Sequence, residues 1–255
     1  MRIRSNAAIG GMLGVLAMVS AGAAPAAEIT VLTGQGVVSA VRDVAPAFER
    51  TSGHKVVVSF ESQSAMASKL AGNAPADIVM HYPHAIDDLI KQGKVVAGSR
   101  LDFARAGIGV AVKAGAAKPD IGSAEAFKRA LVAAKSIAYS KTGASGLYMA
   151  KLIERLGLAD ALRSKTTLVE GVPVAALVAK GEVELGMQQI NVILPVAGID
   201  YAGPLPQELQ DYVEFSAGLL TVSKEPAAAK AMLGFMATRE AEPLIRKSGM
   251  EPMVR

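Results

Sequence analysis

The stretch Ser140-Lys141-Thr142-Gly143-Ala144-Ser145-Gly146-Leu147-Tyr148 decides how the chain is read. The apolar run before it, Ser136-Ile137-Ala138-Tyr139, has the length of a buried strand. After it, Leu147, Ala150, Leu152, Ile153 and Leu156 keep a helical period, which predicts a helix over Leu147–Leu156. The first N–H groups of a helix lack internal partners and lie at the positive end of its dipole. With hydroxyls at Ser140, Thr142 and Ser145 and bare backbone at Gly143 and Gly146, this junction is suited to an anion. Ser145 is equally suited to cap the helix and do nothing more.

Two further junctions repeat the pattern. The strand Ile29–Leu32 runs into Thr33-Gly34-Gln35-Gly36 and a helix over Val37–Arg50. The strand Val56–Phe60 runs into Glu61-Ser62-Gln63-Ser64 and a helix over Ala65–Ala71. Short hydroxyl, amide and glycine residues thus recur at the carboxyl ends of strands, the edge where open α/β sheets bind ligands. A third strand, Ala76–Met80, precedes His81-Tyr82-Pro83-His84 and another helix, so the rhythm argues for parallel sheets with crossover helices.

Working outward, Leu101–Lys113 and Phe215–Val222 read as two extended crossovers between lobes. The expected division is a signal peptide over 1–26, a first lobe over 27–107 plus 216–255, and a second lobe over 108–215. Two lobes on two crossovers imply a hinge that closes over a ligand. The signal rests on Arg2 and Arg4, the apolar run Ala7–Val19 and the small residues Ala24-Pro25-Ala26. Together they predict export to a bacterial periplasm.

Composition excludes several functions. The chain has no cysteine, hence no thiol chemistry and no cysteine metal site, which fits an oxidising compartment. The formal charge is +4, and Arg2 and Arg4 contribute two of those charges. With 4% aromatic residues and no Lys/Arg run, nothing resembles a nucleic-acid surface. His81-x-x-His84 lacks a third ligand at metal spacing, so no metal is expected. Gly34-x-Gly36 lacks the third glycine and acidic partner of a dinucleotide site, and no cofactor is expected.

The candidate ligand-binding residues are therefore Thr33, Gln35, Ser62, Ser64, Ser140, Thr142, Ser145 and Tyr148, with Gln188 and Gln189 at the end of the strand Val183–Met187. Successive strand residues face opposite ways, so only one of the two glutamines can enter the cleft. Lys141 adds positive charge beside the anion loop.

The order of these pieces resembles periplasmic solute-binding proteins of the molybdate-binding type. The resemblance is carried by Phe48–Val56, Phe60–Ser64, Ala74-Pro75-Ala76-Asp77-Ile78-Val79, Ile86–Val95 and Ile108–Gly115, and it spans nearly all of the chain after residue 26. It implies a two-lobed type II binding-protein fold, each lobe a mainly parallel sheet flanked by helices. It also implies a protein that delivers a tetrahedral oxyanion to the permease of an ABC-type transporter, with ligand-binding hydroxyls at Thr33, Ser62 or Ser64, and the Ser140–Ser145 loop; a monomer is expected. The chain departs from the pattern at two places. Glu61-Ser62-Gln63-Ser64 stands where such proteins carry paired serines, and Gln188-Gln189-Ile190-Asn191 where they carry a tyrosine–aspartate segment. Amides there suggest carboxylate groups on the ligand rather than, or as well as, a tetrahedral oxyanion. Ala134–Ser140, Gly186–Ile190, Gly203–Pro206 and Phe215–Gly218 are similar to a branch that includes periplasmic aconitate isomerase. Isomerisation needs a base for an allylic proton and donors for the resulting charge. Glu61, His81 and Glu170 are the candidates at strand ends.

Overall fold

The computed structural model describes residues 26–253. Arg2, Arg4, Ala7–Val19 and Ala24-Pro25, on which the expected signal peptide rests, lie outside the described residues. Among the described residues no helix is long and apolar enough to cross a membrane.

The chain runs β1 (Glu28–Thr33), α1 (Val38–Ser52), β2 (Lys55–Phe60), α2 (Gln63–Ala71), β3 (Ile78–His81) and α3 (Pro83–Lys91). The long β4 (Leu101–Lys113) leads to α4 (Ala124–Ala133), β5 (Ile137–Ser140), α5 (Ala144–Arg155), α6 (Ala159–Arg163) and β6 (Thr166–Val169). Then come α7 (Val174–Lys180), β7 (Leu185–Gln189), α8 (Ile190–Ile193) and β8 (Ile199–Pro204). The chain returns through β9 (Tyr212–Leu219) and finishes with α9 (Pro226–Met236), α10 (Glu242–Lys247) and β10 (Glu251–Pro252).

The strand order is β2-β1-β3-β9-β4-β7-β5-β6, with β8 and β10 also paired to β4. The β1–β2, β1–β3, β5–β6 and β5–β7 pairs are parallel, as crossover helices require. The two returns are antiparallel: β9 lies between β3 and β4, and β4 pairs on to β7. This is the type II binding-protein architecture of two mainly parallel lobes.

One strand serves both lobes. Phe103, Ala104 and Ala106 of β4 belong to the first core with Val31, Phe48 and Met232. Ile108, Val110 and Val112 of the same strand belong to the second core with Phe127, Leu131 and Met187. The apolar alternation continues unbroken while its neighbours change, so the lobes share a spine. The return crossover lies earlier than residue 216. Val213 and Phe215 pack in the first core and pair with Ala106 and Ala104, so the chain has already come back at the start of β9. Between the lobes, Gln210 brackets Ile108: its Oε1 accepts the Ile108 N–H at 2.8 Å and its Nε2 donates to the Ile108 carbonyl at 2.9 Å.

Helix α5 begins at Ala144, three residues before the start its periodicity suggests. A Cβ at Gly146 would lie 1.7 Å from the Ser140 carbonyl oxygen, so the helix turns directly against the end of β5. The residue that allows this is a glycine. The N-cap is Gly143, and Ser145 is the second helical residue rather than a cap.

Candidate functional site

In the first lobe, β1 ends at the fully buried Thr33, whose Oγ1 lies 3.4 Å from the Gly34 carbonyl oxygen. The Gly34 carbonyl accepts the N–H groups of Val37 at 3.1 Å and Val38 at 3.2 Å, bending Gly34-Gln35-Gly36 into α1. Helix α1 has Val37 at its N-cap and no side-chain cap. The Glu61 N–H donates to the Thr33 carbonyl at 2.9 Å, which sets the exit of β2 beside that of β1. Ser62 caps α2, its Oγ accepting the Ala65 N–H at 3.2 Å, and Ser64 Oγ lies 3.2 Å from it. Both serines are exposed.

In the second lobe, Ser140 Oγ accepts the Gly143 N–H at 3.0 Å. Ser145 is 2% exposed, and its N–H has no partner among the described residues. Thr142 and Lys141 are exposed, with Lys141 Nζ 3.3 Å from Glu170. The two glutamines separate as strand alternation requires. Gln188 turns away, its Oε1 accepting the Val174 N–H at 2.8 Å and so capping α7. Gln189 turns toward the first lobe, its Oε1 3.2 Å from where a Cβ of Gly36 would stand. Tyr148 is engaged inside the second lobe: its hydroxyl donates to the Leu209 carbonyl at 2.8 Å and accepts from Arg155 at 3.2 Å.

Four residues that the sequence pattern did not single out join the halves. Phe215 lies 2.9 Å from the place of a Gly36 Cβ. Tyr82, held extended before Pro83, packs its ring on Phe215 with centroids 5.7 Å apart. Burial pushes the Tyr82 phenol up, and the backbone amide of Ala144 draws it partly back, so the phenol lies at the start of α5. Ala144 itself packs on the first-lobe core. The fourth is Asn191, whose Nδ2 donates to the Gly36 carbonyl at 2.7 Å. The starts of α1 and α5, on opposite lobes, thus meet around the Tyr82–Phe215 pair, with Gln189 beside it.

The charged candidates differ in state. Hydrogen bonds from Lys69 and Ser59 hold the Glu61 carboxyl below its usual range. Burial, and then His84, keep the His81 imidazole below its ordinary 6.5. Its Nδ1 accepts the Tyr82 N–H at 2.7 Å, so in the neutral ring the proton sits on Nε2.

The profile of the bacterial extracellular solute-binding protein family matches residues 29–251. The chain belongs to that family. Among its relatives, this solute-binding protein is 36% identical over 237 residues to an aconitate isomerase of a Pseudomonas species, covering 91% of this chain and 90% of that one. It is 31% identical over 244 residues to the molybdate-binding protein ModA of Azotobacter vinelandii, covering 89% and 91%. The solved periplasmic molybdate-binding protein of Azotobacter vinelandii superposes with a TM-score of 0.71 at 22% identity, covering 87% of this chain and 98% of that one.

Two expectations follow for this solute-binding protein. The unfolded chain takes up the His81 proton near pH 6.5 and the folded chain only at lower pH, so stability is present above 6.5 and falls on acidification. His81→Asn is therefore expected to melt with a smaller loss than wild type between about pH 7.5 and about pH 5, as thermal melts in two buffers will show. Gly36→Ala places a methyl against Phe215 and Gln189. It is expected to weaken anion binding about tenfold and to cost about 1–3 kcal/mol of stability, because the methyl meets Phe215 in the first-lobe core as well as Gln189 of the second lobe.

Proposed function

We propose that this solute-binding protein holds a small carboxylate-bearing anion between its lobes, closes over it, and delivers it to the permease of an ABC-type transporter. The observation that carries the reading is the meeting of two helix starts without side-chain caps, α1 and α5, around Tyr82, Phe215 and Gln189. Uncapped N–H groups on facing lobes supply donors and positive potential, and closure removes competing water. Gln189 adds an amide donor suited to a carboxylate oxygen. The Arg2–Ala26 segment supports export, so the site of action is the periplasm. The protein acts as a monomer on a small molecule.

A second reading is isomerisation of an unsaturated tricarboxylate such as aconitate. It is favoured by the 36% identity to an aconitate isomerase across 91% of the chain. Of the three candidate bases, Glu61 and Glu170 are already paired with Lys69 and Lys141. Burial at the end of β3 lowers the His81 pKa, which favours the basic, neutral ring, so it is the group to substitute first.

Calorimetric titration with molybdate, sulfate, citrate and trans-aconitate tests the first reading. A tricarboxylate is expected to bind at least about tenfold more tightly than molybdate, since the Gln189 amide facing the first lobe suits a planar carboxylate. Binding of none of them overturns the reading. Incubation with trans-aconitate, followed by chromatography for the cis isomer, decides between carriage and turnover.

A further inference from the structure

Asn191 belongs to the second lobe, yet its bonds are made to the first. It is 1% exposed, on the short helix α8 that follows Gln189. A buried primary amide must place two N–H donors and one acceptor. Here Nδ2 donates to the Gly36 carbonyl at 2.7 Å and lies 3.5 Å from Ser39 Oγ. Oδ1 has no partner among the described residues. A side chain placed only to satisfy its own lobe would not leave its acceptor orphaned while crossing to the other.

The Gly36 carbonyl is half of one peptide unit. The other half, the Val37 N–H, is bound to the Gly34 carbonyl at 3.1 Å. With both ends of this plane held, the orientation of the turn that opens α1 depends on Asn191. Behind α8 the first lobe makes a second contact. Gly249, in the turn after α10, approaches so closely that a Cβ there would lie 3.1 Å from Asn191 Cα and 3.2 Å from its N. Gly249 also has φ +84°, which only glycine adopts without strain. Helix α8 is therefore clasped between two first-lobe segments, one reached by a side chain and the other by bare backbone.

We propose that Asn191 is the positioning residue of closure. It fastens the Thr33–Gly36 turn of the first lobe to the strand end that carries Gln189, so that the anion site is assembled only when this bond forms. The structure holds this bond, and moving the lobes apart would break it, so the contact counts toward ligand affinity. A protein that loses it is open for more of the time, and its apparent affinity falls by the fraction of competent molecules. The link to affinity rests on the anion reading above; the link to closure does not.

Small-angle scattering on the ligand-free protein, with stopped-flow binding of trans-aconitate and of molybdate, tests the proposal. Asn191→Asp sets a carboxylate oxygen against the Gly36 carbonyl. It is expected to enlarge the radius of gyration and to raise the dissociation rate about tenfold while association stays within about twofold. Gly249→Ala, which pushes on α8 from behind with Asn191 intact, is expected to enlarge the radius in the same direction. A ligand-free radius unchanged in both variants overturns the proposal, as does a lowered melting temperature with unchanged rates. If the wild type binds neither anion, the proposed function falls, and the radius measurement alone decides the role of Asn191.

Discussion

Gly146→Ala protein is expected to lose anion binding and to melt well below the wild type. A methyl at this position would lie 1.7 Å from the Ser140 carbonyl oxygen, 2.5 Å from its carbon and 3.0 Å from its Cα. These are backbone atoms of β5, which is held on both sides by β6 and β7, and no side-chain rotation relieves the overlap. Ordinary overpacking costs about 1–3 kcal/mol; an obstruction by sheet backbone belongs at or beyond the upper end, at about 3 kcal/mol or more. For a chain of this size that corresponds to a fall of about 10 °C in Tm. Relief comes only by moving the start of α5 off the strand, which carries the Ser145 N–H and Ala144 away from Tyr82. Thermal melting and calorimetry with trans-aconitate check both halves. A variant that melts with the wild type would show that β5 and α5 do not meet as described.

Asp77→Ala is expected to be as damaging to stability and nearly silent for binding. The buried Asp77 carboxylate accepts four hydrogen bonds. One oxygen takes the Thr30 N–H at 2.8 Å; the other takes Ser223 Oγ at 2.7 Å and the N–H groups of Lys224 at 3.1 Å and Glu225 at 3.2 Å. It therefore ties β1, the entry to β3 and the N-cap of α9 at one point, joining the two ends of a lobe that is discontinuous in sequence. Removal leaves three amides and a hydroxyl without partners. By the usual penalties for such groups the loss is about 3–5 kcal/mol, measurable by urea denaturation. Asp77 lies at the amino end of β3 and the site at the carboxyl ends of strands. Anion affinity of the folded variant is accordingly expected within about twofold of wild type. A large loss of affinity at unchanged stability would refute this assignment.

Much of this arrangement was legible in the residues. The extended piece Leu101–Lys113 matches β4 residue for residue: its glycine- and valine-rich half from Ala106 to Val112 is apolar on both faces, as a strand buried on both sides is. The alternating strands and helices, and the glycine-bearing turn at Ser140–Gly146, followed from period and punctuation. What stayed hidden depends on which face a residue takes and on contacts distant in sequence. Alternation says that Gln188 and Gln189 diverge but not which of them caps α7. Tyr148 lies one turn into α5, and its hydroxyl is claimed by Leu209, 61 residues away. Helix α8 has four residues, too few to show a period, and Asn191 acts on a carbonyl 155 positions earlier. Tyr82 carries no site signal of its own in the sequence, where its neighbours His81 and Pro83 have the more conspicuous chemistry.

The position of β9 has a consequence for how the chain is made. Residues 212–219 lie between β3 and β4, so the first lobe cannot finish its sheet until nearly the whole polypeptide exists. A nascent chain that ends before Tyr212 has one side of β3 bare and the first half of β4 without its central neighbour. Contacts between segments so far apart in sequence make acquisition of the native state slow. The first lobe therefore completes its sheet only once its last strands have been synthesised.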